Sequence, residues 1–397
     1  MYALGFLKER SEEKLSTGAV EVEYRLVCSG ELYNRNVKTG DWRKSGVARI
    51  LLRTPFELFV ASEPFEDYPQ ELCARLVVTR ASESDHLFAG GFLPDKDVIE
   101  DLCSLLTLLS RRLIAPVAKI RERHSTEIEV LGSYGTDVPI PMMGHSKVVS
   151  WKRRAATIIT TPQQQNIIVN DPPPVGVDDD ALSGLFKTFL TIEHAENIVH
   201  AARLYRTSLE LIESRPDIAY QLLISAVETL MTVALEDYKP DEAEQIKTKQ
   251  HVQKQAKNYG LTEAQANHLA LLSCRDDRWI KRKFVKFLMD RLSSISLAEK
   301  DRLFFVPEHL RPPPEDLEKT LKVIYDARST SLHTGSPLPH SIAIGTSPRM
   351  KVHDLPLNPL KPGVPPVAWF ERVVFLAAQM FLLNQAATES FPFIEID

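Results

Sequence analysis

Two side chains near the far end of the sequence have the chemistry to act on a phosphate. In the stretch YDARSTSLHTG, Tyr325 to Gly335, Arg328 and His333 stand with four residues between them. A guanidinium is a permanent planar cation that can meet a phosphate through two hydrogen bonds at once. An imidazole changes charge between roughly pH 5 and 8, so it can carry a proton near neutrality. The spacing constrains how the two could cooperate. Five positions along an ideal helix turn a side chain through about 140°, so they do not stack as i,i+4 neighbours do. They converge on one ligand only if the helix ends there, or if a second copy of the helix brings its own pair. Gly335 supplies a stop, and GSPLP beyond it cannot continue a helix.

The helix that must position them reads EDLEKTLKVIYDARSTSLH. Leu317, Leu321 and Ile324 form one apolar stripe, and Arg328 falls next on it. A cation pointed at packed neighbours is costly unless a carboxylate or phosphate meets it. Glu228 is the one formal charge in YQLLISAVETLMTVAL, a segment apolar on nearly every side. A Glu228–Arg328 pair, within one chain or across two, would satisfy both groups. It would do so equally well if its only role were to pin two helices together.

The sequence divides by character. Residues 1–170 are strand-rich with α+β patterning: Val20, Val22, Tyr24, Leu26 and Cys28 alternate with Glu21, Glu23 and Arg25. One helix is expected there, about Asp95 to Ile120. The run NDPPPVGVDDD reads as a linker over 171–180, because its prolines cannot extend a sheet. From 181 to 397 the pattern is all-helical, with Pro216 suited to a first turn. Thr262 and Gln265 make a capping-box pair after Gly260, and a last long helix is expected from Ala368 to Ala387. Residues 336–366 are proline-rich and aperiodic, an insertion of unusual length.

With 397 residues, 25% of them charged, and a net charge of -5, the chain has an ordinary globular composition and no global attraction for polyanions. A local patch is another matter. RDDRWIKRKFVKF gathers Arg275, Arg278, Lys281, Arg282, Lys283 and Lys286 around Trp279, Phe284 and Phe287. Such a mixture can track a single nucleic-acid strand, or it can be an amphipathic helix with a solvated basic face. The four cysteines, Cys28, Cys73, Cys103 and Cys274, form no CxxC pair and read as buried thiols of a reducing compartment. Neither a signal peptide nor a membrane span is expected, VVFLAAQMFLLNQA reading as a buried helix, so a cytoplasmic location follows.

IYDARSTSLHTGSPLP resembles the signature of HEPN domains, most closely the Apea-like branch found in bacteria. The family pattern is an arginine, a polar residue, three to five more residues and a histidine at a helix end. Here these are Arg328, Ser329 and His333, and Tyr325, Asp326 and Gly335 also fit the branch. RLYRTSLELIESRPDIAYQLLISAVETLM resembles the family's opening helix pair, with Glu228 at the place of its glutamate. The resemblance covers about Asp178 to Asp397.

It implies an antiparallel bundle of four to five helices, homodimeric through its motif helices, following the α+β domain. It implies a metal-independent endoribonuclease without cofactor, a toxin or antiphage defence effector. His333 would move the proton of a ribose 2′-OH, Arg328 would grip the phosphate, Ser329 would bond the phosphate or Arg328, and Glu228 would hold Arg328. RNA would be the substrate and lysines such as Lys281 would help bind it. A partner protein or phage-derived trigger would regulate it, and because an unrestrained ribonuclease would harm its own cell, the N-terminal domain or the proline-rich loop would supply the gate. The alternative is a noncatalytic module of the same fold for dimerisation or for binding nucleotide or RNA.

Overall fold

The computed structural model describes residues 19–28, 32–34, 47–50, 56–61, 70–79, 94–124, 155–158, 167–170, 175–178, 181–182, 184–185, 194–239, 241–273, 279–292, 306, 308–343, 363–386 and 393–395. Five strands make one antiparallel sheet in the order β3-β4-β5-β1-β6: β1 (Ala19–Cys28), β3 (Val47–Ile50), β4 (Phe56–Ala61), β5 (Gln70–Thr79) and β6 (Ile114–His124). β1 lies between β5 and the edge strand β6, and Leu26 and Cys28, two positions apart on it, are both buried, as its alternation requires.

Helix α1 (Pro94–Ser110) lies between this sheet and the helical half. It is shorter than the expected Asp95–Ile120. Arg111 takes a left-handed conformation with φ 56°, and the chain then turns into β6. Pro116 cannot sit in a helix interior. In the sheet it is tolerated because β6 is an edge strand whose register against β1 shifts at Leu26, the residue it faces. Side-chain hydroxyls settle the corner: Thr107 Oγ1 accepts from the Ile114 amide at 3.0 Å and Ser110 Oγ from the Arg112 amide at 3.2 Å.

The described residues are mostly helical, as a helical bundle requires. It comprises α2 (Ala195–Leu211), α3 (Pro216–Ala234), α4 (Glu242–Asn258), α5 (Glu263–Leu272), α6 (Ile280–Leu292), α7 (Leu317–Thr334) and α8 (Val367–Ala386). α2 and α3 pack along each other after a short turn, and Pro216 opens α3 at its first turn. α3 packs on α6 and α8, and α7 lies against α6. Tyr220 stacks on Phe370 at 4.9 Å, and Phe284 sits 5.2 Å from the Tyr325 ring. By length and composition α3 and α8 could each cross a membrane, although the sequence leads one to expect no span. Here they are core helices packed on each other.

One hydrophobic cluster runs from Leu26 and Cys28 through α1 to Phe381 and Leu382 of α8, so both halves share a core. After an antiparallel pair, β7 (Ala155–Ile158) and β8 (Ile167–Asn170), and within the stretch expected as a linker, Val175–Val177 is a buried strand, β9, pairing with β2 (Leu32–Asn34) and with β10 (Phe393–Glu395). The two ends of the proline-rich insertion are seated as well: Leu338, Ile342 and Val364 are buried, and the turn His340–Ala343 packs on α3 and α8. Its middle, 344–362, lies outside the described residues, as does Cys274; Cys73 stands in β5, and Cys28 and Cys103 are buried thiols.

Ion pairs fasten α1 to the bundle. Arg203 and Arg206 of α2 meet Asp101 and Glu100. Arg111 Nε and Nη2 meet the carboxylate of the fully buried Glu371 of α8, the closest contact being 2.5 Å, and the Tyr205 hydroxyl donates to the same carboxylate. Removing one member of such a pair strands the other charge without water and typically costs about 3–5 kcal/mol. Arg111→Ala should therefore lower the unfolding free energy measured in urea by that order, whereas Lys322→Ala, which breaks the exposed i,i+4 pair with Glu318, should leave it nearly unchanged.

Candidate active site

α7 presents its apolar stripe to the core as its spacing dictates. Leu317, Leu321 and Ile324 are buried, and Arg328, next in line, retains only 22% of its side-chain surface. There it meets Glu228 of α3: Arg328 Nη2 lies 2.8 Å from Glu228 Oε2. The other carboxylate oxygen accepts a hydrogen bond from the Tyr325 hydroxyl at 3.0 Å. The Arg328 guanidinium in turn stands 5.8 Å from the Tyr325 ring centroid. One carboxylate thus orients two side chains one turn apart on the facing helix, and each half-buried group has a partner. Burial, and then the Glu228 charge, pushes the Tyr325 hydroxyl up from 10.0 to about 12.

The remaining motif residues are placed differently. Asp326 is exposed and bonded through both oxygens to Lys281 of α6 at 2.6 Å, so it ties two helices rather than facing Arg328. Ser329 is half-buried beside Arg328 in sequence. α7 continues through His333 and ends at Gly335, whose φ of 70° is the left-handed cap the sequence called for; its amide reaches the Ser331 carbonyl at 3.0 Å. His333 is exposed in the last turn, and among the described residues no hydrogen bond or ion pair engages it. Because the helix is unbroken between them, Arg328 and His333 leave it about 140° apart. Within one chain they do not converge.

The basic segment is largely committed to local partners. Besides Lys281 with Asp326, Lys286 pairs with Asp290 at 2.9 Å. Arg282 lies over the Trp279 ring at 4.4 Å and donates to Thr248 Oγ1 at 2.9 Å. Lys283 is half-buried; Arg275 and Arg278 lie outside the described residues. The interleaved aromatics are core residues: Trp279, Phe284 and Phe287 are buried, so they offer no face on which a base could stack. That corrects the mixed basic-aromatic track suggested by the sequence.

Sequence reading missed the Arg111–Tyr205–Glu371 cluster. The available signal was weaker than the one that found Glu228: a single acid, Glu371, stands beside Arg372 near the start of a helix whose next nine residues, bar one glutamine, are apolar. Comparison with protein-family models, with curated proteins and with solved structures finds no match for this chain.

The Tyr325 hydroxyl offers a direct test of the geometry. Its proton is held more tightly in the folded state, so its contribution to stability is complete below pH 10 and is lost as pH rises toward 12. Ultraviolet titration of tyrosinate, differenced against Tyr325→Phe, should show this late step. Glu228→Gln should bring it down part of the way only, because burial, the larger cause, remains.

Proposed function

We propose that the chain is a metal-independent endoribonuclease of the HEPN type, acting as a paired site between two copies. The observation that supports it most is the arrangement on α7. A guanidinium is held in place by Glu228 and still partly open, and an exposed imidazole lies one and a half turns away at a capped helix end. Since the two diverge within one chain, a two-fold pairing of α7 with its mate is the way to bring arginine and histidine to one cleft. Leu332, beside His333, is 53% exposed, an apolar side chain that such pairing would cover.

In this reading His333 takes the proton from a ribose 2′-OH, and the resulting oxygen attacks the adjacent phosphorus. The bond from phosphorus to the 5′ oxygen breaks, leaving a 2′,3′-cyclic phosphate. The second copy's imidazole protonates the departing 5′ oxygen. Arg328 bears the charge that builds on the phosphate oxygens, and Glu228, itself fixed by Tyr325, keeps the guanidinium aimed. Ser329 is placed to bond the phosphate or Arg328. The biological role that fits is a toxin or antiphage effector, with the sheet-bearing half as regulator, tied to the bundle by the ion pairs of α1.

A noncatalytic reading has one observation in its favour: Glu228 already neutralises Arg328. The two readings separate cleanly. With chelator present, the purified protein should cut single-stranded RNA to 2′,3′-cyclic ends. His333→Ala should cut it about 10²–10⁴-fold more slowly while keeping its fold and mass. Equal cutting by that variant removes His333 from the chemistry. Intact RNA with both proteins leaves an interaction module.

A further inference from the structure

Between Tyr238 and Trp279 the chain leaves the bundle as a hairpin of α4 and α5. Its turn is firmly built: Gly260 takes φ 79°, and Thr262 and Gln265 form the capping box foreseen in the sequence. The two helices pack on each other through small residues. Ala256, Ala266 and Ala270 are the buried ones among those described from 241 to 273, and Gln253 donates to Asn267 at 2.9 Å. A hydrogen bond from Arg282 to Thr248 ties the hairpin to the bundle.

This arm carries apolar surface out of proportion to its size. Seven large hydrophobic residues are exposed among those described, and six belong to the arm or its base: Ile246, Tyr259, Leu261, Leu269, Leu271 and Ile280. Tyr259, at the tip, is 86% exposed. A hairpin meant only for solvent has no use for such a concentration.

Charge indicates what covers it. Over 241–273 the four acids Asp241, Glu242, Glu244 and Glu263 balance the four lysines Lys247, Lys249, Lys254 and Lys257. The arm therefore has no net attraction for a polyanion such as RNA. Along α4, however, the signs are sorted: Glu242 and Glu244 come first, and only lysines follow. That order suits the helix's own dipole, which leaves the exposed apolar residues unaccounted for. A helix sorted this way is also complementary to a copy of itself run antiparallel. A two-fold axis near Gln250 brings the acidic start of each against the basic end of the other.

We propose that the α4–α5 arm is a self-association surface, where α4 of one copy runs antiparallel along α4 of a second. Glu242 meets Lys257 of the mate, drawing it from its exposed pair with Glu263 of its own chain, and Ile246, the exposed large hydrophobic residue of α4, is covered in the same contact. This surface is separate from Arg328 and His333 and does not depend on the ribonuclease reading.

The test uses the full chain at low salt, by sedimentation equilibrium. One variant makes both ends of α4 basic (Glu242→Lys with Glu244→Lys) and another makes both ends acidic (Lys254→Glu with Lys257→Glu). Each should show half the wild-type mass, its association weakened at least about tenfold, with unchanged helical circular dichroism. An equimolar mixture should recover the wild-type mass, because opposite arms now attract. Wild-type mass in either variant, failure of the mixture to recover, or a wild-type monomer at about 100 μM overturns the proposal. So does loss of RNA binding by the acidic variant at unchanged mass, which would make the arm a nucleic-acid contact.

Discussion

A carboxylate set into an apolar helix must be answered by a cation or a proton donor, and the helical half is organised by that constraint. Glu228 interrupts α3, and α7 answers it with Arg328 and Tyr325 from successive turns. Two bonds to one carboxylate fix both the rotation of α7 and its height against α3, something apolar packing alone leaves degenerate. The orientation of the candidate site follows: with Arg328 pinned inward, His333 must emerge on another face, toward water.

The same solution recurs at the boundary between the halves. Glu371 interrupts α8 and is answered by Arg111 and Tyr205. Here the cation comes from the corner after α1, where the backbone adopts a left-handed turn at a residue other than glycine. A non-glycine residue there costs of order a kcal/mol or more and persists where surrounding contacts over-determine it. The guanidinium, the carboxylate, the phenol and the Phe375 ring 5.3 Å away supply those contacts. Charge burial therefore joins sheet to bundle and also joins the two helices of the candidate site.

What the sequence disclosed follows from the range of each interaction. Local signals were readable: the Pro216 start, the Thr262 capping box, the Gly335 stop and the stripe from Leu317 to Arg328 all depend on residues within a few positions. The Glu228–Arg328 pair was legible because each charge stood alone on an apolar face. The end of α1 was not, since Leu, Ile and Ala around Arg111 suit a helix or a strand, and pairing with β1 decides between them. β9 was hidden for the same reason: three residues beside prolines carry no strand signal until β2 and β10 flank them. The basic run misled because composition cannot say which way Trp279, Phe284 and Phe287 point.

The β2-β9-β10 sheet has a consequence for the order in which the molecule is made. β9 sits between a partner translated early and another translated more than two hundred residues after it. While the ribosome is still working through the helices, one flank of β9 has no backbone partner, an unpaired edge of the kind that invites wrong pairing. Closure of that edge waits on Phe393–Glu395. Completion of that small sheet therefore waits until the helices between its strands have been made.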